Sequence, residues 1–206
     1  MKYLKKFTLF ISIIIIIIIS IYLAYNYNPL GYSENIVYSE SKIPGYANDS
    51  DAIDTHVTRK EALDKSFEIL DSDFDLPINK NSLNQEIRLD NNGSNFVWNI
   101  VLSDKNDVKQ FFVHINSITG EVLDAGLFTM QFSDYNHKFN SLDKKEITKI
   151  LSKPSKTLGI NIDDFIMSTD VNFDKESIVL KDNEGTDKYY FIIDIPTKKL
   201  MFFSKN

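Results

Sequence analysis

Cysteine is missing from all 206 residues. Its absence excludes disulfides, thiol nucleophiles, a lipid-modified cysteine anchor and every zinc site built on thiolates. Glycine (7) and proline (5) are scarce. No Gly-rich phosphate loop, dinucleotide-binding glycine pattern or Gly-x-Ser-x-Gly elbow occurs. The three histidines, His56, His114 and His137, lie far apart in the chain, with neither His-x-x-x-His nor His-Glu-x-x-His spacing. No zinc site is expected from them. Bases are also in deficit, 23 Lys and Arg against 29 Asp and Glu, for a net charge of -6. Residues 1–25 hold Lys2, Lys5 and Lys6 and no acid, so the remainder is more acidic than the whole. Such a domain is repelled by phosphate backbones, and no nucleic-acid partner is expected. The surplus negative charge serves solubility.

Long apolar side chains are abundant. The stretch from Phe7 to Tyr25 carries no charge and includes an unbroken isoleucine run, Ile13–Ile19. As a helix it would cover about 28 Å, close to the hydrocarbon thickness of a bilayer. Lipid demands that backbone groups bond internally, which outweighs the middling helix propensity of isoleucine. Tyr22, Tyr25 and Tyr27 suit one interface, and the lysines at the other end stay cytoplasmic by the positive-inside rule. A cleaved signal peptide would need a shorter apolar core and a small-x-small site, which Leu23-Ala24-Tyr25-Asn26 does not offer. The expectation is an uncleaved single-pass anchor in the cell membrane, N-terminus cytoplasmic, with the C-terminal domain extracytoplasmic.

The rest divides at composition shifts. Residues 26–55, with Pro29, Gly31, Pro44 and Gly45 and no sustained period, read as an extracytoplasmic stalk; Ile36, Val37, Tyr38 and Ile43 could dock on the domain as a strand. Thr58-Arg59-Lys60-Glu61 is a capping-box pattern opening a helix over 58–71. Short apolar runs divided by turn signals follow: Leu83–Leu89, Asn95–Leu102, Val108–Ile115 and Glu121–Leu123. The order then recurs. Ser141 to Ile147 opens a second helix expected to end before Pro154, and strands are expected at Phe165–Phe173, Ser177–Lys181, Lys188–Ile195 and Lys199–Phe203. Gln110–Leu123 can be laid over Lys188–Met201 without gaps, as an internal duplication would produce. The fold class read from this pattern is α+β: two repeated units of one helix plus an antiparallel β-meander, at 56–128 and at 129–206 (the latter including a linker), after the transmembrane helix of residues 1–25.

Thr58-Arg59-Lys60-Glu61-Ala62, followed later by Phe111-Phe112-Val113-His114-Ile115-Asn116-Ser117-Ile118-Thr119-Gly120-Glu121-Val122-Leu123, resembles the PepSY domain. The second unit keeps Asp194 and Thr197 of this motif and replaces the Gly-Glu pair with Lys198-Lys199. An N-terminal anchor with tandem PepSY-like units is similar to small cell-wall and sporulation regulators of Gram-positive bacteria. The resemblance implies a non-catalytic module that binds or restrains an envelope enzyme or sensor (a peptidase, cell-wall enzyme or kinase). It brings no catalytic residues with it.

The remaining side chains point the same way. His114 sits in an apolar strand, where a hydrogen-bonded structural histidine is expected. Asp71-Ser72-Asp73-Phe74-Asp75 and Asp163-Asp164 lack the glycine and distal glutamate of a calcium loop, and Asp90-Asn91-Asn92-Gly93 has turn chemistry. No catalytic, cofactor-binding or metal-ligating residue is assigned, and the chain is not expected to be an enzyme. The expected partners are the membrane, through the anchor, and an envelope protein. A structural component of an envelope or spore complex, and a hydrolase with an unrecognised carboxylate pair, are the alternatives. The aromatic strands are expected to bury their faces by packing the two units on one another, the alternative being that aromatics on an open face receive a partner, with Leu200-Met201-Phe202-Phe203 as a final strand able to offer an open edge.

Overall fold

The computed structural model describes residues 15, 19, 20, 34–38, 55–76, 80–91, 96–104, 109–129 and 139–206. The chain divides into two compact units, Met1–Ser33 and Glu34–Asn206; the second is described below. The expected membrane helix lies almost wholly outside the described residues. Among the described residues, no helix is long and apolar enough to cross a membrane.

The unit is α+β. Helix α1 (Arg59–Ser72) is followed by strands β1 (Asn84–Asn91), β2 (Phe96–Ser103), β3 (Lys109–Asn116) and β4 (Val122–Thr129). Helix α2 (Lys144–Leu158) is followed by β5 (Ile166–Asn172), β6 (Lys175–Lys181), β7 (Asp187–Asp194) and β8 (Lys199–Lys205). All eight strands form one antiparallel sheet in the order β1-β2-β3-β4-β8-β7-β6-β5. The order counts up through the first half and down through the second, and the halves join edge to edge where β4 meets β8.

Helix α1 starts where the capping box places it. Thr58 Oγ1 accepts from the Glu61 N–H, and Glu61 Oε2 accepts from the Thr58 N–H at 2.8 Å, which satisfies two donors left open by the first turn. At α2 the cap is Asp143, whose Oδ1 accepts from the Glu146 N–H at 2.8 Å. This helix does not stop before Pro154; it runs through it to Leu158 and closes on Gly159 at φ 68°. Proline removes one helical hydrogen bond, but Ile147, Leu151, Pro154 and Ser155 are buried together on one side of the helix. That burial offsets the lost bond.

Both helices touch each other and lie on the same face of the sheet, α1 against β2 and α2 against β8. Successive strand residues point to opposite faces, and the buried set follows that rule: Ile87 and Leu89, Trp98, Ile100 and Leu102, Phe111, Val113 and Ile115, Ile178 and Leu180, Phe191 and Phe203. Phe74, just after α1, meets Phe111 edge-on at 4.8 Å and stacks on Phe203 at 6.0 Å. One core therefore spans both halves.

Two expectations fail here. The units do not stack their aromatic faces; the sheets merge through the ladder Asp124↔Ser204, Ala125↔Phe203, Gly126↔Phe202. Strand β8 is consequently interior, and the sheet's edges are β1 and β5. Joining edges satisfies backbone donors and acceptors on both strands, which face-to-face packing would have left open. Within the expected stalk, Tyr38 is buried at 3% exposure. Its carbonyl accepts from the Thr55 N–H at 2.7 Å, and its ring meets Trp98 edge-on at 6.2 Å. Glu34 pairs with Arg59 at 3.1 Å. Residues 34–38 dock outside any strand, with Ile36 and Val37 exposed; Ile43 lies outside the described residues.

Candidate functional site: the open face of the sheet

The face opposite the helices carries the other half of each alternation. Across the seam, Phe112 pairs with Gly126, Gly126 with Phe202, and Phe202 with Ile192. Phe112 and Phe202 lie 6.1 Å apart, and Tyr190 lies 6.0 Å from Phe202. Gly126 makes this possible. A Cβ there would sit 2.6 Å from Phe112 Cζ and 2.9 Å from Phe202 Cδ2, so the two rings close over a strand position that only glycine leaves vacant. All three aromatics keep part of their surface in solvent, and Phe128, one register step along β4, is 57% exposed. The Ser177 and Tyr190 hydroxyls meet at 2.9 Å, which fixes the tyrosine ring in the row.

The next row is polar on its β1 side. His114 on β3 faces Asp124 on β4, with Nδ1 and Oδ1 2.7 Å apart. Asn99 on β2 donates to Asp90 on β1 at 3.1 Å. These four residues, with Asn91, Val97 and Leu123, line a shallow cleft of about 230 Å³. The hydrogen bond to Asp124 raises the His114 pKa above its ordinary 6.5; burial works against the rise, and the charges of Asp124 and Asp90 add to it. The imidazole therefore keeps its second proton to higher pH than an ordinary histidine does. An imidazole hydrogen-bonded to a carboxylate can bind and orient a polar group. A nucleophile in reach of it would be needed for acyl transfer, and among the described residues that line the cleft there is no serine or threonine.

The other titratable residues singled out in the sequence disperse. The His56 backbone N–H donates to the Ser117 carbonyl at 2.8 Å; His137 lies outside the described residues. Asp73 caps the end of α1, Asp75 pairs with Lys153, and Asp163 and Asp164 sit in a single 3₁₀ turn capped by Asn161. Among the described residues no group of three His, Asp or Glu could hold a metal ion. Reading the sequence alone missed the seam itself. Gly126 was its one signal: a glycine inside an otherwise regular strand pattern marks a close approach of other atoms.

No family model and no curated protein matches the chain. Among solved structures the fold is similar to that of the Bacillus megaterium YpeB C-terminal domain, at 12% identity and a TM-score of 0.46, covering 69% of this chain and 62% of that one. The chain thus spans less than two thirds of the length of the structure it matches.

Proposed function

We propose that this chain is a membrane-anchored, extracytoplasmic binding and regulatory protein, built from two PepSY-like units, that modulates an envelope enzyme or sensor through the open face of its sheet. The observation that carries this reading is the partly exposed aromatic row Phe112–Phe202–Tyr190 at the seam, flanked by exposed Phe128. Exposed aromatics grouped on one rigid surface are the composition of a protein contact, where such side chains contribute most of the binding energy. Two sequence features support the topology and the family: the uncharged Phe7–Tyr25 run behind three lysines, and the Thr-x-x-Glu-Ala and Asn-x-x-Thr-Gly-Glu motifs. Duplication is supported by correspondences between the halves. Thr58 and Asp143 cap the helices, and register shifts fall at His114/Ile115 and Ile192/Ile193. Tethering to the membrane raises the local concentration toward other membrane proteins, so a modest affinity suffices.

The test is site-specific photocrosslinking in cells from a probe at Phe128, compared with a probe at Lys145 on α2. The reading expects one envelope enzyme or kinase to crosslink from Phe128 alone, with its activity altered by the chain and restored by Phe128→Asp. Equal labelling from both positions, or an activity indifferent to Phe128→Asp, overturns it. A reporter fused at Asn206 that works only in the cytosol overturns the topology.

A further inference from the structure

A second cleft, of about 410 Å³, opens where β3 begins, β4 ends and the β5–β6 and β7–β8 turns come together. Its walls are apolar: Phe74, Leu76, Leu127, Leu200 and Met201. Set into them is a charged cluster. Lys175 Nζ lies 3.3 Å from Asp174 Oδ2 and also pairs with Asp194, which in turn accepts from Thr197. Two acids thus share one base. Asp174 is 8% exposed, and its Oδ1 is buried with no hydrogen-bond partner among the described residues. A buried carboxylate oxygen without a donor is costly, on the order of 1–3 kcal/mol, and a donor arriving with a ligand would recover that cost. Lys109 and Lys199, both exposed, line the same cleft, and no ion pair to either is formed among the described residues.

The corresponding place in the N-terminal half is built differently. Where the second half has Asp174, Lys175 and Asp194, the first has Phe96, Val97 and Asn116, with Phe96 only 2% exposed. The backbone needs neither charge there: Ser117 N–H donates to the Phe96 carbonyl at 2.9 Å, and Ile195 N–H donates to the Asp174 carbonyl at 2.8 Å. Asp194 keeps the turn-capping role of Asn116, whose Oδ1 accepts from Ile118 and Thr119, whereas Asp174 and Lys175 replace apolar Phe96 and Val97 and are extra to the turn.

We infer that this cleft binds a small zwitterion with an apolar body, a free apolar α-amino acid. Its ammonium meets Asp174, its side chain meets the Phe74–Leu127–Met201 wall, and its carboxylate meets Lys109 and Lys199 at the rim. The volume suits such a ligand, since sites for small molecules begin near 300 Å³ and combine apolar walls with a few placed polar groups. Burial alone would favour the neutral form of Asp194, but the Lys175 and Thr197 contacts outweigh it and lower its pKa. Asp194 and its partner Lys175, whose pKa is raised against the effect of burial by the two aspartates, therefore stay charged at neutral pH.

The experiment is a titration of the full chain in detergent micelles with four probes: L-leucine, N-acetyl-leucine without the cation, leucinamide without the anion, and glycine without the apolar body. Amide NMR signals of Lys175, Ile195 and Met201 are the readout. Leucine should give saturable shifts, with each of the other three at least about tenfold weaker, as expected when one charge-assisted bond or one apolar contact is removed. Asp174→Asn should cost leucine about tenfold, and Lys199→Gln should weaken leucine while leaving leucinamide unchanged. If Asp174→Asn fails to fold, the exposed Lys199→Gln variant and the probe series on the unaltered chain still decide. Binding of N-acetyl-leucine as tight as that of leucine overturns the assignment. So does the absence of any shift at millimolar leucine, or a structure determined in leucine with only water on Asp174 Oδ1.

Discussion

Trp98 and Glu176 occupy matching inward positions on β2 and β6, and each ties the chain entering its helix to the sheet. In the first half the indole N–H of Trp98 donates to the Val57 carbonyl at 2.9 Å. In the second, Glu176 Oε2 accepts from the Leu142 N–H at 2.8 Å, and its other oxygen accepts from the Ser141 hydroxyl. Both residues are fully buried, at 0% exposure. The connection is the same, but donor and acceptor have exchanged roles and an aromatic ring has become a carboxylate. The turns differ in a parallel way. Asn116 Oδ1 accepts from Ile118 and Thr119 before Gly120 at φ 71°; Asp194 Oδ2 accepts from Thr197 before Lys198 at φ 54°. Lysine thus holds the left-handed conformation that glycine holds in the first half. The lesson is that backbone geometry is shared, while the first half secures it by an aromatic side chain and neutral hydrogen bonds and the second by carboxylates that accept them.

The largest expected effect comes from removing the two ties. Trp98→Ala should cost about 4 kcal/mol, since it deletes the largest buried side chain as well as a hydrogen bond. Glu176→Ala should cost about 2 kcal/mol by stranding the Leu142 N–H. Urea denaturation followed by circular dichroism measures both, and equal losses would mean that the halves rely on packing to the same degree. Gly126→Ala tests the seam that joins them. The added methyl must displace the Phe112 and Phe202 rings, for a loss of roughly 1–3 kcal/mol; an unchanged unfolding midpoint would show that the rings swing away freely.

The turns give smaller effects of opposite sign. Gly120→Ala should destabilise by about 1–2 kcal/mol because a Cβ is disfavoured at positive φ, whereas Lys198→Gly should stabilise slightly. Thermal unfolding of the two variants checks the signs, and the exposed Lys198–Glu146 pair should subtract little from the gain. The smallest effect concerns His114. Its folded-state pKa is raised, so its contribution to stability is fully present below the unfolded value near 6.5 and is lost as pH rises through the higher folded value. Urea midpoints measured across that window should fall gently with pH. His114→Gln should flatten the slope, and a slope unchanged in that variant would assign it to another group.

Much of this was legible in the residues. Short apolar runs divided by turn signals placed seven of the eight strands to within about two residues at each end, but only the start of β4, which runs six residues past Leu123 to Thr129. The capping box at Thr58 and Glu61 placed the start of α1, since both partners of that interaction lie within one turn. Pro154 misled the reading of α2 because a local rule met a nonlocal gain: the face carrying Leu151 and Pro154 is buried. The seam between β4 and β8 left Gly126 as its one mark in the sequence, since its hydrogen bonds are made by backbone groups that every residue carries. The open face was only half legible. His114 was expected to be a hydrogen-bonded structural histidine, but its partner Asp124 lies on the next strand, and pairing across strands is set by turn length and bulges.

By itself the sequence determined what depends on near neighbours: helix caps, strand periodicity, turn chemistry, an acidic composition, and the absence of thiols. Only the tertiary structure decided how the halves meet, which face stays open, and that Asp174, Lys175 and Asp194 converge on one cleft. Local signals are written in adjacent side chains. Edge pairing and the gathering of distant charges follow from where the backbone of the whole chain comes to rest.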